Sequence, residues 1–152
     1  DETKASATSS RVIAMADFKG SLYAAVDRGI VTVTSTVYVR SPTDAAWTSS
    51  ETDASSMYRS LVVFKDNLYA TLYGRITSTT PEVRKFDGTS WTSVLTGSTG
   101  LELALFQDGV TLHAFRYLGT TVYTSTDGTT WSALKSATVS RIVGSSFGLV
   151  VI

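Results

Sequence analysis

VYTSTDGTTWSAL, residues 122–134, sets an Asp-Gly pair between two runs of β-forming residues and closes the turn with a tryptophan. Asp127 can accept backbone N–H groups as an Asx-turn, Gly128 can take a positive φ, and Trp131 supplies a large apolar plate. Blurred copies stand at KFDGTSW, residues 85–91, and SPTDAAW, residues 41–47, so that Trp47, Trp91 and Trp131 lie 44 and 40 residues apart. A second phrase precedes each turn: FKGSLYAAV from Phe18, FKDNLYATL from Phe64 and FQDGVTLHAF from Phe106, at spacings of 46 and 42 residues. Two independent landmarks with one period define an internal repeat, and a repeat must be read before its elements.

Within the unit, Asp66-Asn67 and Asp108-Gly109 put turn-forming residues between apolar runs, a hairpin signal, and Lys19-Gly20 occupies the same place. Further turns are expected at Arg28-Gly29, Gly74-Arg75 and Leu118-Gly119. Each unit then reads as strand, tight turn, strand, Gly turn, strand, Trp turn, strand. Thr, Val and aromatic residues favour strands, and no segment sustains a 3.6-residue apolar period. Four strands in about 40–45 residues is the signature of a propeller blade. The expected fold is all-β, a β-propeller of four-stranded antiparallel blades. The Trp turns at Asp44 and Trp47, at Asp87, Gly88 and Trp91, and at Asp127, Gly128 and Trp131 then have structural roles, each folding a third strand into a fourth and packing one blade on another.

STDGTTW and KFDGTSW resemble the Asp-box (BNR) turn of sialidase-like β-propellers and their lectin and sortilin-like relatives. The resemblance implies a propeller with that turn between the third and fourth strands of each blade. It also implies two functional classes, carbohydrate recognition and glycoside hydrolysis.

The expected organisation is a single module over residues 1–152. Residues 1–10 form the outer strand of a split blade, residues 11–53, 54–98 and 99–140 are three full blades, and residues 141–152 are the first two strands of a further one. KASATSSRVI from Lys4 matches KSATVSRIV from Lys135, which places the chain start at the end of a blade. A propeller hides its sheet edges by closing. The expected partners are therefore further copies of the chain, or another chain, completing the ring; the apolar FGLVVI segment, residues 147–152, would pair with β-structure outside the chain.

Composition narrows the function. Thirteen basic and thirteen acidic side chains cancel to a net charge of zero, which provides no footprint for a phosphate backbone. No apolar run approaches the roughly 20 residues that span a bilayer. Nucleic acid and membrane insertion are not expected. The chain has no cysteine, so disulfides, thiolate nucleophiles and zinc-thiolate sites are excluded. Its aspartates are scattered through turns without a Ca²⁺-loop pattern, and the single histidine cannot build a metal site with a second one. No cofactor or metal is expected.

Ligand candidates are few. Arg11 and Arg141 stand at matched starts of first strands and Arg59 near the equivalent point, a set readable either as a basic collar at a channel mouth or as solvated, salt-bridged residues. Tyr23, Tyr69 and His113 share one slot of the repeated phrase, where packing between blades competes with a ligand-facing role. An enzyme of the resembled type needs an arginine set, a nucleophilic tyrosine and an acid/base carboxylate, and no carboxylate pair flanks a tyrosine in a recognisable motif. No catalytic residues are assigned. The reading is a non-catalytic, lectin-like module, extracellular or surface-associated, that binds a glycan or a protein surface. The alternatives are a structural subunit of a larger particle or fibre, and a fragment of a sialidase-like glycoside hydrolase.

Overall fold

A computed structural model describes residues 10–28, 34–74, 80–97, 103–116, 119–139, 142–145 and 148–151. The turns expected at Gly29 and Arg75, the strand expected before residue 10, and Arg141 lie outside the described residues. Every regular element described is a strand. Sheet I runs β1 (Ser10–Phe18), β2 (Ser21–Arg28), β3 (Ser35–Arg40) and β4 (Thr48–Asp53). Sheet II runs β5 (Ser56–Phe64), β6 (Asn67–Gly74), β7 (Glu82–Phe86) and β8 (Trp91–Thr96). Sheet III runs β9 (Leu103–Gln107), β10 (Leu112–Arg116), β11 (Gly119–Ser125) and β12 (Ser132–Val139), and a hairpin of β13 (Ile142–Ser145) and β14 (Gly148–Val151) follows. Each four-stranded sheet is an antiparallel meander in sequence order, and among the described residues no sheet closes on itself.

The repeat reaches down to irregularities. β1 carries a bulge between Val12 and Ala14, and β5 carries one between Tyr58 and Ser60 at the same distance from the hairpin. The third strands shift register between Val37 and Tyr38 and between Val83 and Arg84, again at matched points. A bulge inserts one unpaired residue and increases local twist, so equal placement gives sheets I and II the same shape.

The hairpins differ from their sequence reading in two places. In sheet I, Phe18 pairs with Ser21 across Lys19 and Gly20, both at positive φ (52° and 74°), as a two-residue turn of this kind requires. In sheet II the central pair is Lys65 and Asp66 (φ 45° and 58°), not Asp66-Asn67; Asn67 begins β6, and its Nδ2 donates to the Lys65 carbonyl at 2.7 Å. In sheet III, Gln107 pairs with Leu112 around a four-residue loop in which Asp108 Oδ1 accepts the N–H groups of Val110 and Thr111. Phe106 therefore sits opposite His113 and does not occupy the place of Phe18 and Phe64.

Sheet II is covered on both faces. Leu61, Leu68, Ala70, Leu72 and Phe86 meet Phe18, Tyr23, Ala25 and Val37 of sheet I. On the opposite face Phe64, Tyr69 and Val83 meet Leu105, Leu112 and Ala114 of sheet III. Complete burial of one leucine such as Leu68 contributes roughly 1.5–3 kcal/mol.

The two landmark phrases recur together because they touch. Phe86 and Trp91 of the second Trp turn stack at 5.0 Å, and Phe86 lies 6.1 Å from Phe18 and 5.8 Å from Tyr23 in the hairpin of sheet I. Lys19 of that hairpin donates from Nζ to the Asp87 carbonyl at 2.7 Å. In the next interface Trp131 packs with Phe64 and Tyr69 in one core. The Trp turns of sheets II and III each rest on the hairpin of the sheet before them.

Candidate functional site

The Trp turns have the geometry their residues imply in sheets II and III. Asp127 Oδ1 accepts the Thr129 and Thr130 N–H groups, both at 2.7 Å, and Asp87 Oδ1 accepts those of Thr89 and Ser90 at 2.7 and 3.0 Å. These donors hold both carboxyls below the usual carboxylate range. Gly88 and Gly128 take positive φ. Asp44 differs: its Oδ2 accepts the Ser41 N–H and its own N–H donates to the Ser41 carbonyl, so it caps backwards and Trp47 stands 39% exposed.

Tyr23 and Tyr69 are buried in successive inter-sheet cores and present no surface to a ligand. Burial pushes the phenols of both upward, and for Tyr69 the charge of Asp127 adds to it. His113, in the same slot, is half-buried, and its Nε2 lies 3.1 Å from Asp108 Oδ2. With His113 and the Thr111 and Val110 N–H groups around it, the Asp108 carboxyl falls to about 2. Arg11 and Arg59 are engaged separately. Arg11 Nη2 donates to Asp27 Oδ2 at 3.0 Å, and the Arg59 guanidinium lies 5.5 Å from the centre of the Tyr73 ring. The third member of the expected collar, Arg141, lies outside the described residues.

The densest polar assembly is one that sequence reasoning did not single out. Where sheets I and II meet, Arg84 of β7 reaches across to β4. Its Nη1 donates to Glu51 Oε1 at 2.7 Å, its Nη2 to Asp53 Oδ2 at 3.1 Å, and its Nε to Glu82 Oε2 at 3.1 Å. Tyr58, fully buried, donates its hydroxyl to Glu51 Oε2 at 2.7 Å. Ser35 ties the two sheets below the web: its Oγ donates to the Ser56 carbonyl at 2.8 Å and accepts the Tyr58 N–H at 3.1 Å.

Three carboxylates around one guanidinium leave the web with a negative excess. Burial pushes the Asp53 carboxyl up, but the Ser55 and Ser56 N–H groups and the Arg84 charge outweigh it and hold it down. Burial favours the uncharged form of Arg84, and its carboxylate partners reverse the shift upward. Burial and the hydrogen bond to Glu51 raise Tyr58, so the phenol keeps its proton and donates a hydrogen bond to Glu51. Glu82 keeps the most exposed carboxylate of the three, at 29%. The arrangement can accept hydrogen bonds from neutral hydroxyls without a large change in its own structure. A signal for it exists in the sequence: strand alternation puts Glu82 and Arg84 on the same face as Phe86, and charges on an inward face require partners.

No family model matches the chain, and no curated protein matches it.

Proposed function

We propose that the chain is part of a β-propeller and works as a non-catalytic, lectin-like binding module, taking a glycan against the Arg84 web. The propeller reading is supported by three successive meanders whose first strands β1, β5 and β9 follow one another in contact, and by matched bulges in sheets I and II. The observation that carries the glycan reading is the rigid, partly exposed set of Glu51, Asp53 and Glu82 around one planar guanidinium. Sugar hydroxyls donate to such carboxylates, and the pinned geometry lowers the cost of ordering on binding. An extracellular or surface location accompanies this reading.

A glycan array followed by calorimetric titration of the strongest hit tests it. Glu82→Gln is expected to weaken binding about tenfold, the loss of about 1.4 kcal/mol. Val110→Ser, at an exposed loop of sheet III, is expected to leave it unchanged. An array without hits, or a hit indifferent to Glu82, refutes the reading. The hydrolase alternative is weighed against by Tyr58, held protonated and away from solvent, and turnover of a fluorogenic sialoside would restore it.

A further inference from the structure

The positions that form the Arg84 web in one inter-sheet interface are apolar in the next. Cross-strand register pairs Arg84 with Ala70 in sheet II and Tyr123 with Ala114 in sheet III. It pairs Glu51 with Val37 in sheet I and Leu95 with Val83 in sheet II. Leu95 and Tyr123 thus stand between sheets II and III where Glu51 and Arg84 stand between sheets I and II, and both pack into that core. A joint of this repeat can therefore be built from apolar side chains, and replacing buried ionic groups by apolar ones of similar volume is often neutral or stabilising. The charged side chains at the first joint point to a role beyond holding two sheets together.

The hydrogen-bonding capacity left over defines what the web offers a ligand. Glu51 is used at both oxygens, by Arg84 and by the Tyr58 hydroxyl. Asp53 is used likewise, by Arg84 and by the Ser55 and Ser56 N–H groups. Glu82 gives Oε2 to Arg84 Nε and keeps Oε1 without a partner among the described residues. Arg84 donates once from each of its three nitrogens, which leaves one N–H on Nη1 and one on Nη2. An open acceptor and open donors thus belong to neighbouring positions on one face of β7, a pattern that two adjacent hydroxyls fill, one donating to Glu82 and the other accepting from Arg84. Charge sets the second limit. Three carboxylates surround a single guanidinium, and Asp27, in a cross-strand row with Ser35 and Asp53, brings a further carboxylate to the same interface, 1% exposed and with Oδ1 unpartnered among the described residues. An entering carboxylate or sulfate meets like charge at a guanidinium already shared three ways. Resting on the glycan reading of this site, we propose that the web selects uncharged sugars through a vicinal diol, with Glu82 and Arg84 as the contact residues, and excludes sialylated, uronate-bearing and sulfated glycans.

The test uses an array of neutral galactose, mannose and N-acetyllactosamine oligosaccharides together with their sialylated and sulfated derivatives, printed in duplicate, one copy treated with mild periodate and borohydride to open vicinal diols. Wild type is expected to bind neutral spots and to lose them after periodate. In calorimetric titration an acidic derivative of the same sugar is expected to bind at least about tenfold more weakly. Glu82→Gln removes one charge and keeps the size of the side chain, so the neutral sugar should weaken about tenfold while the acidic derivative does not weaken. Tighter binding of the acidic form, or neutral binding that survives periodate, overturns this selectivity and leaves the glycan reading in place. A preference unchanged in Glu82→Gln moves the site away from the web and overturns both, as does an array without hits.

Discussion

Gly128→Ala is expected to be among the most damaging small substitutions in the chain, and the reason can be separated into two parts. Gly128 has φ +76°, where an L-residue costs roughly 1–2 kcal/mol. A Cβ built there would also overlap the Tyr69 hydroxyl and fall 2.6 Å from its Cζ. Tyr69 has no exposed surface and packs edge-on against Phe64 at 6.3 Å, so its ring cannot swing away without disturbing the core between sheets II and III. Forced displacement of that kind adds about 1–3 kcal/mol, for a total of about 2–5 kcal/mol. Gly20 is the matched control, with φ +74° and open space around its Cβ position, so Gly20→Ala is expected to lose only the backbone part. In thermal melts of a chain this size each kcal/mol moves Tm by about 2–4 °C. Tyr69→Phe removes a buried hydroxyl that has no hydrogen-bond partner among the described residues and should itself be nearly neutral. On that background Gly128→Ala should recover about 1 kcal/mol or more, a coupling between residues in contact. Equal losses for Gly20→Ala and Gly128→Ala, or no coupling to Tyr69, would refute the close-approach argument.

Asp66→Gly relieves a non-glycine residue at φ 58° and gives the second hairpin the Lys-Gly pair of the first; chemical denaturation is expected to show a gain of about 0.5–1 kcal/mol. Arg84→Ala leaves three carboxylates without their shared cation and is expected to cost about 2–3 kcal/mol near neutral pH, discounted for partial exposure. Its pH dependence should change sign as well. In the wild type Asp53 is depressed, so its contribution is full above the unfolded value of about 3.9 and is lost as pH falls through the folded value. In Arg84→Ala protonation relieves repulsion, so urea midpoints should rise between neutral pH and about pH 4. Trp91→Ala, which removes the ring stacked on Phe86 and packed against the core between sheets I and II, is expected to cost about 3 kcal/mol, while Trp47→Ala costs under about 1 kcal/mol; similar losses at both would contradict the difference in their packing.

The strand order was legible because its markers are local: Lys19-Gly20 and the Asp-Gly turns act through backbone dihedrals that do not depend on distant residues. The second and third hairpins were misplaced for the same reason. Two-residue and four-residue loops share Asp and Gly, and only cross-strand pairing shows that Asn67 starts a strand and that Phe106 faces His113. The Trp turns could be read down to the carboxylate that accepts the N–H groups. The identity of their partners could not, because contact between Gly128 and Tyr69 joins residues far apart in sequence. The Arg84 web was missed because its members come from two units of the repeat. Glu51 and Asp53 look like ordinary polar residues of an outer strand until sheet packing brings β7 against them.

The way the Trp turns of sheets II and III rest on the preceding hairpins bears on how such a chain can lengthen. A unit of the repeat carries a hairpin to be covered by its successor and a turn to cover its predecessor. Duplicating or deleting one whole unit therefore keeps this hairpin-and-turn contact at the new boundary, while unit-specific partners such as Glu51 and Asp53 on Arg84 are regained only where the same two units meet. Gene duplication within the repeat thus changes the number of sheets while preserving the aromatic contact that joins neighbours, which gives such a lineage an easy path between different numbers of sheets.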